Sequence, residues 1–133
     1  MNKTLLLIIL IFTLSCKNSF SIDHLYPNED LVIENHDEWG DGNYKKVIKE
    51  FKSNPLNYAD IVFLGNSITS GGKDWSKRLK HPNIRNRGIG GDVTDGVLAR
   101  IDEITYFKPK AVFLLIGIND LWNNNNPNKP SVE

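Results

Sequence analysis

Apolar residues fall along this chain in short unbroken runs and in longer amphipathic stretches, separated by glycine and asparagine. Asp60-Ile-Val-Phe-Leu64 carries four consecutive apolar residues of β-branched and aromatic type without helical spacing, and Gly65 stops it. Such a run predicts a strand buried on both faces. Ala111 to Ile116 (Ala-Val-Phe-Leu-Leu-Ile) predicts another buried strand, and Asn83-Ile84-Arg85-Asn86-Arg87, opened by Pro82, an extended segment between them. Asn43 to Lys52 sets Tyr44, Val47, Ile48 and Phe51 at helical spacing with its lysines outward, and Asn54-Pro55 ends it. Thr94 to Phe107 repeats that period through Val97, Leu98, Ile101 and Ile104, with Thr94 as N-cap and Lys108-Pro109 as stop. Trp39-Gly40-Asp41-Gly42 reads as a turn, Asp74 to Leu79 as a short helix, and the stretch from Asn123 to Pro130 as a polar loop.

The order strand, helix, strand, helix, strand predicts an α/β fold with a parallel sheet and right-handed crossovers. Each predicted strand ends in glycine plus polar residues: Gly65-Asn66-Ser67, Gly88-Ile89-Gly90-Gly91-Asp92 and Gly117-Ile118-Asn119-Asp120. Ligands in such sheets bind beyond the carboxyl ends of the strands, so three such ends converging on one edge mark a site.

The N-terminal region follows a different pattern. Met1-Asn2-Lys3 and the apolar run Thr4 to Leu14 form a charged region and an apolar core too short to span a bilayer, as in a secretory signal. Leu14-Ser15-Cys16 resembles the end of a bacterial lipoprotein signal, with Cys16 as the lipidated residue. Thr13 stands where that motif usually has an aliphatic residue, which leaves ordinary cleavage near Ser19 to Ser21 as the alternative. The expected location is the bacterial periplasm or outer membrane, with a membrane tether through lipidated Cys16. Residues 17–36 read as a tether or extended arm, and residues 37–133 as the domain.

Composition changes this picture only by exclusion. The 133 residues balance 16 Lys and Arg against 16 Asp and Glu, so there is no basic excess for nucleic acid. A single cysteine excludes an internal disulfide framework and a cysteine-rich zinc site. Phosphate cradles fail on spacing: a P-loop from Gly65 would need glycine at Ser70, and a dinucleotide fingerprint from Gly88 would need glycine at Val93. Acyl transfer fits better, because it needs an exposed serine on a sharp turn and donors aimed at the oxyanion. Ser67 meets the first need; backbone N–H groups of the glycine turn and the neutral amide of Asn119 meet the second. Trp39, Trp75 and Trp122 read as packing residues near turns, with a sugar site as the alternative.

Gly65-Asn66-Ser67-Ile68-Thr69, Asn86-Arg87-Gly88-Ile89-Gly90-Gly91-Asp92-Val93-Thr94 and Gly117-Ile118-Asn119-Asp120 resemble the first three sequence blocks of the SGNH hydrolases, the GDSL-type lipases and esterases. The glycine run most resembles the branch similar to the platelet-activating-factor acetylhydrolase catalytic subunits. The resemblance implies a three-layer α/β fold with a flavodoxin-like parallel sheet, of which about three strands fall in this sequence. It implies Ser67 as nucleophile, Gly91 and Asn119 as oxyanion-hole residues, no cofactor or metal, and a small-molecule or glycan ester as substrate, with an O-acyl and especially an acetyl group. Oligomeric state is left open.

Asn66 departs from the aspartate that names the GDSL motif. The family's Asp-x-x-His block, which supplies the base, has no counterpart here, and the three histidines, His24, His36 and His81, read as surface residues. The expectation is therefore the N-terminal part of an exported esterase domain, truncated, marginally stable and with little or no activity alone. The alternative is a non-catalytic fragment or ligand-binding remnant.

Overall fold

The structure is a computed structural model, and residues 21–122 are described; Cys16 and the signal region lie outside them. Three strands, β1 (Ile61–Gly65), β2 (Ile84–Gly88) and β3 (Ala111–Leu115), form one parallel sheet in the order β2-β1-β3. The predicted α/β class with a parallel sheet is therefore the observed one. Among the described residues β1 is central and β3 is an edge strand.

Helices cover β1 unequally on its two faces. Val62 and Leu64, almost fully buried, share one apolar core with Tyr44, Ile48 and Phe51 of α1 (Glu38–Ser53), Val97 of α4 (Thr94–Ala99) and Ile104 and Phe107 of α5 (Ile101–Phe107). Phe63 points the other way, as the two-residue strand period requires. Its ring lies 4.9 Å from Trp75 of α3 (Trp75–Leu79) and 5.0 Å from Phe113. On β3 both faces are open among the described residues: Phe113, on the side of Phe63, and Leu114, on the side of Leu64, are each 58% exposed. The expectation of a third strand buried on both faces is thus corrected, because burial of a parallel strand requires a layer on each side.

Helix boundaries depart from the sequence pattern at two places. The predicted turn Trp39-Gly40-Asp41-Gly42 is the first turn of α1, since Asp37 caps that helix by accepting the Gly40 N–H at 2.6 Å. Two glycines disfavour a helix in isolation, but the cap and tertiary packing outweigh them. The stretch Thr94 to Phe107 is two helices, broken at Arg100, whose backbone leaves helical geometry while its side chain turns inward. Thr94 is the first residue of α4 rather than its cap, and Val93 in the cap position supplies no side-chain bond.

The arm from residue 21 to 36 packs on the domain. Leu25, Tyr26 and Ile33 are buried in the core. Tyr26 donates its hydroxyl to Glu103 Oε1 at 2.8 Å, and the same carboxylate receives Arg87 in bidentate fashion, Nε at 2.9 Å and Nη2 at 2.7 Å, together with the Leu56 N–H at 3.1 Å. Glu103 thus carries a buried charge that accepts four hydrogen bonds, one set of them from a guanidinium, the condition under which such a charge is tolerated. Arg87 also lies over the Phe51 ring, 4.4 Å from its centre.

Burial, in Tyr26 assisted by Glu103, pushes both the Tyr26 and Tyr44 hydroxyls above the ordinary tyrosine range. The unfolded chain ionises these groups near pH ~10 while the fold retains their protons. Their contribution to stability is full below pH ~10 and is lost as pH rises beyond it. The urea midpoint should therefore fall between pH 9 and 11, and Tyr44→Phe, which removes one such group, should flatten that fall relative to the parent chain.

Candidate active site

The parallel register places the candidate residues at one edge. Gly65, the last residue of β1, pairs with Gly88 of β2 and with Leu115 of β3. Ser67, Gly91 and Asn119 follow these aligned residues by two, three and four positions, so all three leave the carboxyl edge of the sheet. The order β2-β1-β3 means the crossover from β1 goes to one side and the next returns past it, the topology that opens a crevice beyond the central strand.

Ser67 is exposed and begins the short helix α2 (Ser67–Gly71). Asn66 before it is fully buried, and its Oδ1 accepts the Ile68 N–H at 3.1 Å, which fixes the turn presenting the hydroxyl. The Asn66 Nδ2 is buried without a partner among the described residues. Gly88 allows α2 to sit close, because a Cβ there would run into the backbone of Thr69 and Ser70.

Gly91 has φ +81°, a conformation that only glycine adopts freely. Its missing Cβ faces the first turn of α1: a methyl group would stand 2.8 Å from Cζ3 of Trp39 and 3.3 Å from Cα of Gly40. Asn43, one turn further, donates its amide to the Gly90 carbonyl at 2.8 Å. The glycine loop is therefore clamped beneath α1, and Trp39 remains 65% exposed against it. Trp75 is by contrast a packing residue, its indole N–H bound to the Thr69 carbonyl at 2.9 Å. The side chain of Trp122 lies outside what is described.

Asn119 lies in α6 (Ile118–Trp122), which the sequence pattern did not predict. Its Nδ2 donates to the Asp92 carbonyl at 2.8 Å, joining the asparagine turn to the glycine loop. An amide carries two hydrogens, so one remains for another acceptor. The Asp120 carboxylate accepts the Thr94 N–H at 3.0 and 3.2 Å and so supplies, from across the sheet edge, the cap that α4 lacks locally. Among the described residues neither the Ser67 N–H nor the Gly91 N–H makes a hydrogen bond.

This edge of exposed serine and unspent donors carries the sequence blocks of a known family. A family model described as the GDSL-like Lipase/Acylhydrolase family matches residues 63–133, more than half of the chain. The chain belongs to this family. No curated protein matches it. Membership of the GDSL-like acylhydrolases supports hydrolase chemistry in general terms.

One of the three histidines is not where its sequence context suggested. His81 is exposed, its Nδ1 2.7 Å from the Pro82 carbonyl at the amino end of β2, and His24 sits by the Ser21 carbonyl. His36 is no surface residue: its side chain is 1% exposed and its Nε2 lies 3.3 Å from Asp92 Oδ1. Nothing in its polar surroundings, Glu34-Asn35-His36-Asp37, signals this burial, which α1 imposes by folding down on the glycine loop. None of the three hydrogen-bonds Ser67 among the described residues.

Asp120→Ala should unfold at lower urea than the parent, by about 0.5–2 kcal/mol for loss of a helix cap. Chemical denaturation checks this, and amide exchange at Thr94 should rise in the same variant.

Proposed function

We propose that this GDSL-like chain carries the nucleophile and oxyanion hole of a serine esterase that cleaves O-acyl esters, with small acyl groups such as acetyl on a glycan or lipid as substrates. The observation that carries this reading is exposed Ser67 at the same sheet edge as three donors without an acceptor among the described residues: the N–H groups of Ser67 and Gly91 and the second amide hydrogen of Asn119. The finer likeness of the glycine run to the platelet-activating-factor acetylhydrolase catalytic subunits supports a small acyl group.

In this scheme Ser67 Oγ attacks the ester carbonyl carbon while its proton passes to a base. The carbonyl π pair moves onto oxygen, where neutral donors stabilise it. Collapse of the tetrahedral species expels the alcohol, which takes up the proton, and leaves an acyl-serine; water then attacks that ester, releasing the acid and restoring the hydroxyl. Neutral donors suit this cycle, since they hold the developing charge without trapping the acid product in an ion pair. The exposed indole of Trp39, seated on Gly90 and Gly91, supports a sugar ring as the alcohol part, because an aromatic face beside the reacting centre can pack against ring C–H groups.

The sequence has no Asp-x-x-His block, and its three histidines are committed elsewhere. A serine hydrolase without its base retains about 10³- to 10⁴-fold acceleration over water from the oxyanion hole and binding. The 133 residues by themselves are thus expected to react slowly. As for the N-terminal region, a lipidated Cys16 would hold this site at a bacterial membrane surface.

Prolonged incubation with a fluorophosphonate probe, read by intact mass, should label the folded chain once, more slowly than a complete serine hydrolase. Ser67→Ala should abolish that adduct. Labelling that survives in Ser67→Ala, or no labelling above a urea-denatured control, overturns the assignment of Ser67. Enzyme-like turnover of p-nitrophenyl acetate would overturn the statement that the base is missing.

A further inference from the structure

We infer that Arg100 is a positioning residue for the proposed acyl-transfer site, holding the nucleophile turn, the glycine loop and the asparagine turn in one geometry. The inference rests on the acylhydrolase reading and extends it to a residue that none of the three sequence blocks contains.

Arg100 breaks the helical stretch between α4 and α5 and is 3% exposed. Its guanidinium meets two backbone carbonyls and one carboxylate at the carboxyl edge of the sheet. Nη2 donates to the carbonyl of Gly65, two residues before Ser67, at 3.3 Å. Nη1 donates to the carbonyl of Arg87 at the end of β2 at 2.8 Å. Nε and Nη2 donate to Asp92 Oδ2 at 3.2 and 2.7 Å. Asp92 follows Gly91 directly, is fully buried, and offers its main-chain carbonyl to Asn119 Nδ2 at 2.8 Å. The other carboxylate oxygen faces His36 Nε2 at 3.3 Å and the Val93 N–H at 3.1 Å.

Fixing the Asp92 carboxylate from two sides fixes the orientation of its carbonyl. That carbonyl in turn takes one hydrogen of the Asn119 amide and so sets the direction of the other. One planar fork of donors thus connects all three turns from which the proposed chemistry draws its groups. Lysine matches the charge but not the geometry, since a single ammonium cannot reach two carbonyls and a carboxylate along fixed in-plane directions. A displacement of about 1 Å in a catalytic group can cost about 10²-fold in rate. A purely structural Arg100 would affect the fold whether or not Asn119 is present, whereas a positioning Arg100 acts in part through it.

The test is a double-mutant cycle on the full chain. Arg100→Ala would leave the buried Asp92 unpaired and risks unfolding, so Arg100→Lys is used, with circular dichroism and a urea transition to establish the fold. Labelling of Ser67 by a fluorophosphonate probe is measured in the parent, Arg100→Lys, Asn119→Ala and the double variant. Arg100→Lys should slow labelling about 10²-fold in the parent background and by a clearly smaller factor in Asn119→Ala, where only its hold on the nucleophile turn and the glycine loop remains. An equal fold-change in both backgrounds, or no change in either, overturns the inference. If the parent does not label at all, the Ser67 assignment fails, and the side-chain amide of Asn119 decides the present inference separately. In a ¹H–¹⁵N spectrum its two protons should be well separated in the parent and move together in Arg100→Lys; unchanged resonances overturn it.

Discussion

Two buried ion pairs hold the polar edge of this small sheet against its apolar core. Arg87 with Glu103 and Arg100 with Asp92 are each almost wholly removed from water, and both guanidinium groups lie over the ring of Phe51, at 4.4 and 5.9 Å. A charge buried alone would cost several kcal/mol, so each partner makes the other obligatory. Arg87 and Glu103 join β2 to α5 and, through Tyr26, to the N-terminal arm. Arg100 and Asp92 join the ends of β1 and β2 to the glycine loop. The first pair organises the fold away from the site, and the second organises the site itself.

Much of this was legible in sequence because backbone demands leave local marks. The apolar runs marked the three strands, and the glycine and polar residues after each marked their carboxyl ends, where Ser67, Gly91 and Asn119 indeed emerge. Long-range partners left no such mark. Trp39-Gly40-Asp41-Gly42 has the composition of a turn, yet it is helical because Asp37 caps it and because Gly40 is small enough to lie against Gly91. The period from Thr94 to Phe107 runs through Arg100 as though the helix were continuous; the break comes from a side chain drawn inward by acceptors on three other segments. His36 sits among polar residues in sequence and against a buried carboxylate in space.

The third strand shows the converse limit. Its apolar run is as dense as that of β1, and local pattern alone gives both the same burial. Val62 and Leu64 are buried because α1, α4 and α5 cover them, while Val112 to Leu115 remain exposed because the described residues put nothing over them. Apolar density states what a strand requires, and the architecture decides whether the requirement is met. An exposed apolar edge strand of this kind is also prone to pairing with other chains.

Asn66 illustrates how a departure from a family motif can be compatible with the same local structure. The position before the serine needs an acceptor for the Ile68 N–H, which an amide oxygen supplies as well as a carboxylate oxygen. It is also fully buried, and no cationic side chain bonds it among the described residues; the guanidinium of Arg100 is bound to Asp92 and two carbonyls. A carboxylate there would be a buried charge without a counter-charge. The amide leaves its Nδ2 group without a partner among the described residues, a penalty of about 1–3 kcal/mol per lost hydrogen bond, smaller than that of an unpaired buried anion. Asparagine therefore keeps the cap that shapes the serine turn without burying a negative charge that no cationic side chain bonds among the described residues.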